Sequence, residues 1–222
     1  MNLRPVFITL LIIFAAPSHS EPTSILGRTI QVVIPSGYCE VGKHPADTEI
    51  ARRTIEGIGN SNQALVLFAN CKELDEFRRG KRAMLDNYGQ ILLQTPKGQV
   101  KMLAGVSRAE YIQRIAARTD FGESFRKAEA KIRKFEPSYQ SMENLGVLAA
   151  DANGLYIGLL LALTVDAPQP RRLVGVMGMT LVKELPLSVN IYQAYTKSPD
   201  LSTILAKQKS AMNAFVQANN WP

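Results

Sequence analysis

Apolar and polar positions follow three different rhythms along the chain. The first is a nearly unbroken apolar run of about 11 residues, from Val6 to Ala16, preceded by Arg4 and closed by Pro17. Ser18-His19-Ser20 then sets small side chains at −3 and −1 relative to Glu21. A positive start, a short apolar core and a small-residue site predict that residues 1–20 are a signal peptide of bacterial type, cleaved before Glu21. The run falls short of the ~20 residues that span a bilayer as a helix. No cysteine follows the core to take a lipid, so the mature chain is expected to carry no anchor and to work in the periplasm or the medium.

The second rhythm is that of β-structure. Residues 28–34 are rich in β-branched side chains and lie between Gly27 and the turn Pro35-Ser36-Gly37, which predicts a strand. Residues 64–69 and 88–94 predict two more. Later, 145–150 and 155–165 flank Asp151-Ala152-Asn153-Gly154, whose Asn-Gly pair signals a hairpin. A second hairpin is expected from 173–182 and 187–192 around Lys183-Glu184-Leu185-Pro186. Gly158, Gly175 and Gly178 lie inside these strands and mark bulges or close packing, not phosphate loops.

The third rhythm is helical. Residues 45–58 place Ile50, Thr54, Ile55 and Ile58 on one face, with Gly59 as the stop. Two capping boxes follow. Ser107 with Glu110 opens a helix carrying Tyr111, Ile112, Ile115 and Ala116; Asp120 with Glu123 opens another, with Phe125, Ala128, Ile132 and Phe135 as its buried stripe and Pro137 as its end. Ser198-Pro199-Asp200 caps a final helix with the stripe Leu201, Ile204, Leu205, Met212, Phe215 and Val216.

These elements predict that residues 21–222 form a single α+β domain: an antiparallel sheet of about six or seven strands with helices packed on it. About 200 residues suffice for one such core. In its element order the chain resembles the Mog1/PsbP-like α/β sandwich. The resemblance is carried by the opening strand into Ile34-Pro35-Ser36-Gly37-Tyr38, the late hairpins and the packed C-terminal helix. It implies a non-enzymatic binding or assembly role.

Cysteine and histidine narrow the chemistry. Cys39 and Cys71 are the only two cysteines, and in an oxidising compartment an even pair predicts one disulfide. It would close a loop of about 33 residues, worth roughly 3–4 kcal/mol on the chain-entropy account. His19 leaves with the signal, so His44 alone remains, next to Pro45 at a helix start where capping is its expected role. A His-rich zinc site is thereby excluded, and Asp151 and Asn153 lack the further ligands of a calcium loop. No metal or cofactor is expected.

Charge gives the leading candidate surface. The chain carries a formal charge of +7. Residues 72–134 hold 15 Lys/Arg against 8 Asp/Glu, whereas the remainder balances. The excess falls in two clusters: Arg78, Arg79, Lys81 and Arg82, then Arg126, Lys127, Lys131, Arg133 and Lys134. The second lies on the polar side of its helix. Such a face suits an anionic partner (lipid head groups, an acidic polymer or an acidic protein), although pairing with Glu123 and Glu129 would make it an ordinary solvated face. Nucleic acid is not expected, because no aromatic-interleaved motif accompanies the charge. Two alternatives stand beside this reading. Ser124-Phe125-Arg126-Lys127 fits S-x-x-K and Ser188-Val189-Asn190 fits S-x-N, fragments that resemble the penicillin-binding and serine β-lactamase pattern and would make Ser124 the nucleophile and Lys127 its proton manager. The K-T-G element is absent; Lys197-Ser198-Pro199 is its nearest substitute. The other alternative is a small apolar ligand held between sheet and helices.

Overall fold

The computed structural model of the chain describes residues 18–19, 21–118, 121–135, 138–164 and 170–220. The charged start and apolar core of the expected signal, the caps at Asp120 and Pro137, and Val165 lie outside the described residues. The chain opens with four short strands, β1 (Ser18–His19), β2 (Thr23–Ile25), β3 (Arg28–Ile30) and β4 (Val33–Ile34). Seven strands follow: β5 (Tyr38–Val41), β6 (Asn62–Asn70), β7 (Asn87–Gln94), β8 (Tyr139–Ala150), β9 (Leu155–Leu163), β10 (Arg171–Val182) and β11 (Leu185–Tyr195). They form one antiparallel sheet in the order β5-β6-β7-β11-β10-β9-β8. The helices are α1 (Thr48–Ile58), α2 (Cys71–Arg78), α3 (Arg108–Ala116), α4 (Phe121–Phe135) and α5 (Leu201–Ala218). This is the expected α+β arrangement.

Alternation along the strands sorts the helices onto two faces. Phe68, Ile91, Val174, Val176, Val189 and Ile191 point to one side, where Ile204, Met212, Phe215 and Val216 of α5 bury them. Asp200 caps that helix by accepting the Thr203 N–H at 3.0 Å. The other face carries α1, α2, α3 and α4. Val41, Leu67 and Ala69 pack there with Leu74 of α2 and Ile50 and Ile58 of α1. At the far end Leu155, Ile157 and Leu181 pack with Tyr111, Ile112 and Ile115 of α3 and with Phe125 of α4. Helix α4 also lies against β8 and touches α1, so the helices of this face meet across the sheet.

The expected strand over 28–34 is broken. β3 folds back on β2 as a small hairpin, and β4 pairs with β1. At the break, the Gln31 N–H donates to Asn219 Oδ1 and Asn219 Nδ2 donates to the Gln31 carbonyl, both at 2.8 Å. One buried side-chain amide at the end of α5 thus replaces a neighbouring strand for that peptide unit. The late hairpins form as expected. Around the first, Asp151 Oδ1 accepts the backbone N–H groups of Asn153 and Gly154. The second turns on Lys183 and Glu184, both left-handed, with φ of 48° and 67°. That unfavoured conformation is pinned from outside: Lys183 Nζ donates to the Thr29 carbonyl, and Glu184 takes Arg28 and the Gly105 N–H.

Close packing explains all three strand glycines, a Cβ on Gly158 falling 2.8 Å from the Leu148 side chain. A Cβ on Gly175 would sit 2.7 Å from the Tyr192 ring, and one on Gly178 would sit 2.5 Å from Gln208 Nε2. Cys39 and Cys71 are joined, with Cα atoms 4.9 Å apart. Cys71 lies just past the end of β6, and Cys39 sits within β5, opposite Ala69. Among the described residues, no helix is long and apolar enough to cross a membrane.

Candidate functional site

The two basic clusters have different fates. In the first, Arg78 is drawn inward. Its Nε and Nη2 donate to Asp47 at 3.0 and 2.6 Å, and Nη2 also reaches the Glu40 carbonyl at 3.1 Å. Asp47 is fully buried and takes a third bond from the Gly42 N–H. Burial alone would raise its pKa, but the Arg78 and Gly42 hydrogen bonds outweigh it and hold the carboxyl below its ordinary value. Arg82 lies between Glu76 and Asp86, and Arg79 pairs with Asp75. Lys81 is exposed just beyond α2. This cluster is therefore spent mainly on holding the α2 end of the sheet together.

The second cluster stays outside. Arg126, Lys127, Arg133 and Lys134 are all exposed on α4, and the Lys131 side chain lies outside the described residues. Arg126, Glu129, Ala130, Arg133 and Lys134 line a shallow depression on its outer side. Arg133 is fixed in place: it lies over the Tyr139 ring at 5.0 Å and pairs with Glu129 at 3.0 Å. The Tyr139 hydroxyl donates to the same carboxylate at 2.8 Å. That bond, then Arg133, lowers the Glu129 pKa, while burial and Glu129 push the Tyr139 phenol up to about 12. Lys127 pairs with Glu123 at 2.6 Å. The first cluster sits on and just beyond α2, which packs against β5 and β6, whereas the helix of the second lies along β8 and touches α1.

The serine alternative meets the same geometry. The Ser124 side chain lies outside the described residues, Lys127 is solvated and paired with Glu123, and Phe125 is packed against the α3 cluster. Ser188 and Asn190 instead stand in the sheet. His44 does what its position predicts, accepting the Ala46 N–H at 3.1 Å to start the turn before α1.

The sheet holds a feature that sequence reasoning passed over. Residues directly opposite in an antiparallel pair share a face. Below the four helices, three rows therefore cross β6, β7, β11 and β10: Ala69, Tyr88, Tyr192, Gly175; Leu67, Gln90, Asn190, Met177; and Ala64, Leu92, Ser188, Met179. The two apolar clusters of this face are thus separated by a polar band on the central strands β7 and β11. Tyr88 and Tyr192 stack at 5.2 Å. Ser188 and Asn190 form its floor, 7% and 3% exposed, while Tyr88, Gln90, Gln94 and Tyr192 are half-buried around them. Burial and then Tyr88 raise the Tyr192 pKa against the opposing hydrogen bond with Gln90; burial pushes Tyr111, which donates to Gln94 at 3.4 Å, up to about 12. Both phenols stay protonated donors. Asn190 Oδ1 is buried without a partner. The available signal was the pattern 187–192 itself, where Leu, Val and Ile alternate with Ser, Asn and Tyr. Alternation assigns those polar positions to solvent, and only the helices above make them interior.

Neither a family model nor a curated protein sequence matches this chain.

Proposed function

We propose that the chain is an exported, non-enzymatic binding module that meets an anionic partner through the outer face of α4. One observation carries the reading. Of the two basic clusters, the first is largely drawn into the fold by ion pairs, whereas Arg126, Lys127, Arg133 and Lys134 are all exposed along α4, with Lys127 and Arg133 paired only to acids of the same helix. Glu123 and Glu129 offset part of that charge, so α4 keeps a positive surplus near its C-terminal end, where the helix dipole favours cations. The Cys39–Cys71 disulfide fits an oxidising compartment. An attraction of this kind is long-ranged, salt-sensitive and tolerant of partner detail.

The test is a charge reversal on the mature chain. Arg126, Lys127, Lys131 and Lys134 are replaced together by Glu, and binding is measured by co-sedimentation with vesicles containing phosphatidylglycerol and by retention on immobilised heparin. Wild type is expected to bind at least one of the two and to release at about 0.5 M salt, beyond which screening is strong. The variant is expected to bind neither while unfolding at a similar urea concentration. Equal behaviour of the two proteins would refute the proposal.

A further inference from the structure

The polar band between the helices and the sheet is independent of the α4 face, and it has the composition of a site. We infer that the band on β7 and β11 binds a small uncharged polyhydroxylated ligand, of the chemical class of a monosaccharide, against Tyr88, Gln90, Ser188, Asn190 and Tyr192.

The chemistry narrows the class from both sides. None of the residues in the three rows is charged. An ion placed there would lose its hydration without a counter-charge, which excludes charged ligands. A purely apolar ligand would leave the Ser188 hydroxyl without water or partner, at a cost. A sugar ring satisfies both constraints. Its C–H face suits the Tyr88–Tyr192 stack and the pliable Met177 and Met179 side chains; its hydroxyls both donate and accept, as amides require.

A second observation points to an occupant. Asn190 Oδ1 has no donor, although the residue is 3% exposed and sits at the centre of the middle row. Buried acceptors are ordinarily satisfied, and a leucine would fill the same volume without the cost. Gln90 and Met177 stand directly opposite Asn190 on either side, and both are half-buried. A rotamer change in either unbranched chain opens the acceptor to a ligand hydroxyl. Each of the two central strands supplies about half of the lining, and binding surfaces commonly form where separate elements meet.

The experiment follows side-chain amide resonances in proton–nitrogen correlation spectra of the mature chain, titrated with N-acetylglucosamine, with methyl glucoside and with toluene. Saturable shifts of the Asn190 and Gln90 amides by either sugar, and none by toluene, are the expected result. Asn190→Leu is expected to weaken that binding at least tenfold while raising the urea midpoint. Ser188→Ala, a gentler change, is expected to weaken it severalfold in a protein of unchanged fold. Shifts caused by toluene alone would overturn the inference in favour of an apolar pocket. No shift with any of the three, or equal sugar binding by Asn190→Leu, would overturn it outright. The α4 charge reversal leaves this readout untouched, so failure here and failure of the anionic surface are separable.

Discussion

Replacing Arg78 by alanine is expected to destabilise the fold by about 3 kcal/mol, more than any exposed charge on the chain would cost. The reason is the burial of Asp47, which loses both Arg78 contacts and keeps only backbone N–H groups, those of Gly42 and His44. Breaking a buried ion pair from one side costs roughly 3–5 kcal/mol, because the remaining charge stays out of water. The lower end applies because Arg78 is itself a quarter exposed, which lets water screen the site once the guanidinium is gone. With a urea slope of about 2 kcal/mol per molar, the midpoint should fall by about 1.5 M. Arg78→Lys keeps the charge but loses the two-pronged contact and the bond to Glu40, for a loss of about 1–2 kcal/mol. The pair also fixes a pH dependence. The Asp47 pKa is lowered in the folded state, so its contribution is complete above the unfolded value of about 3.9 and disappears as pH falls through the folded one. Asp47→Asn should therefore lose part of the acid limb of the stability curve. The assay is urea unfolding followed by circular dichroism without reductant, from pH 2.5 to 7. A loss below about 1 kcal/mol for Arg78→Ala, together with an unchanged acid limb in Asp47→Asn, would refute the reasoning.

Two further outcomes are expected alongside the α4 reversal and the sugar titration. Asn219→Ala removes the amide that pairs with both sides of Gln31 and also donates to the Phe215 carbonyl; it should cost about 2–3 kcal/mol and speed hydrogen exchange at Gln31, read by mass spectrometry of the peptic fragments. Reduction of the Cys39–Cys71 bond should lower stability by about 3–4 kcal/mol without dismantling the sheet, since β6 remains paired with β7; urea unfolding with and without reductant measures it.

Where local pattern and tertiary setting agree, the sequence was legible. The hairpins β8–β9 and β10–β11 and the capped helices α3 and α5 all announce themselves by period and turn chemistry. Helix α2 did not, because Cys71–Arg78 carries only Leu74 and Phe77 as an apolar stripe and reads as a charged loop; Asn70, which caps it by accepting the Glu73 N–H, was the overlooked cue. The break at Gln31 was invisible for a different reason. Residues 28–34 have the composition of one strand, and what interrupts them is an amide 188 positions away. Charge counting located the solvated face of α4 but also collected Arg78, whose partner Asp47 lies outside the counted stretch. The polar band was hidden by the logic of alternation, since Ser188 and Asn190 look like outward positions until helices are known to cover both sides.

The pairing order of the sheet has a mechanical consequence. Strands β5, β6 and β7 come from the first part of the chain and β8 to β11 from the later part, so the β7–β11 ladder is the seam between two units of the sheet, one early and one late in the sequence. The polar band runs along that seam, with Tyr88 and Gln90 on one bank and Ser188, Asn190 and Tyr192 on the other. A molecule lodged there would act as a rivet between the units.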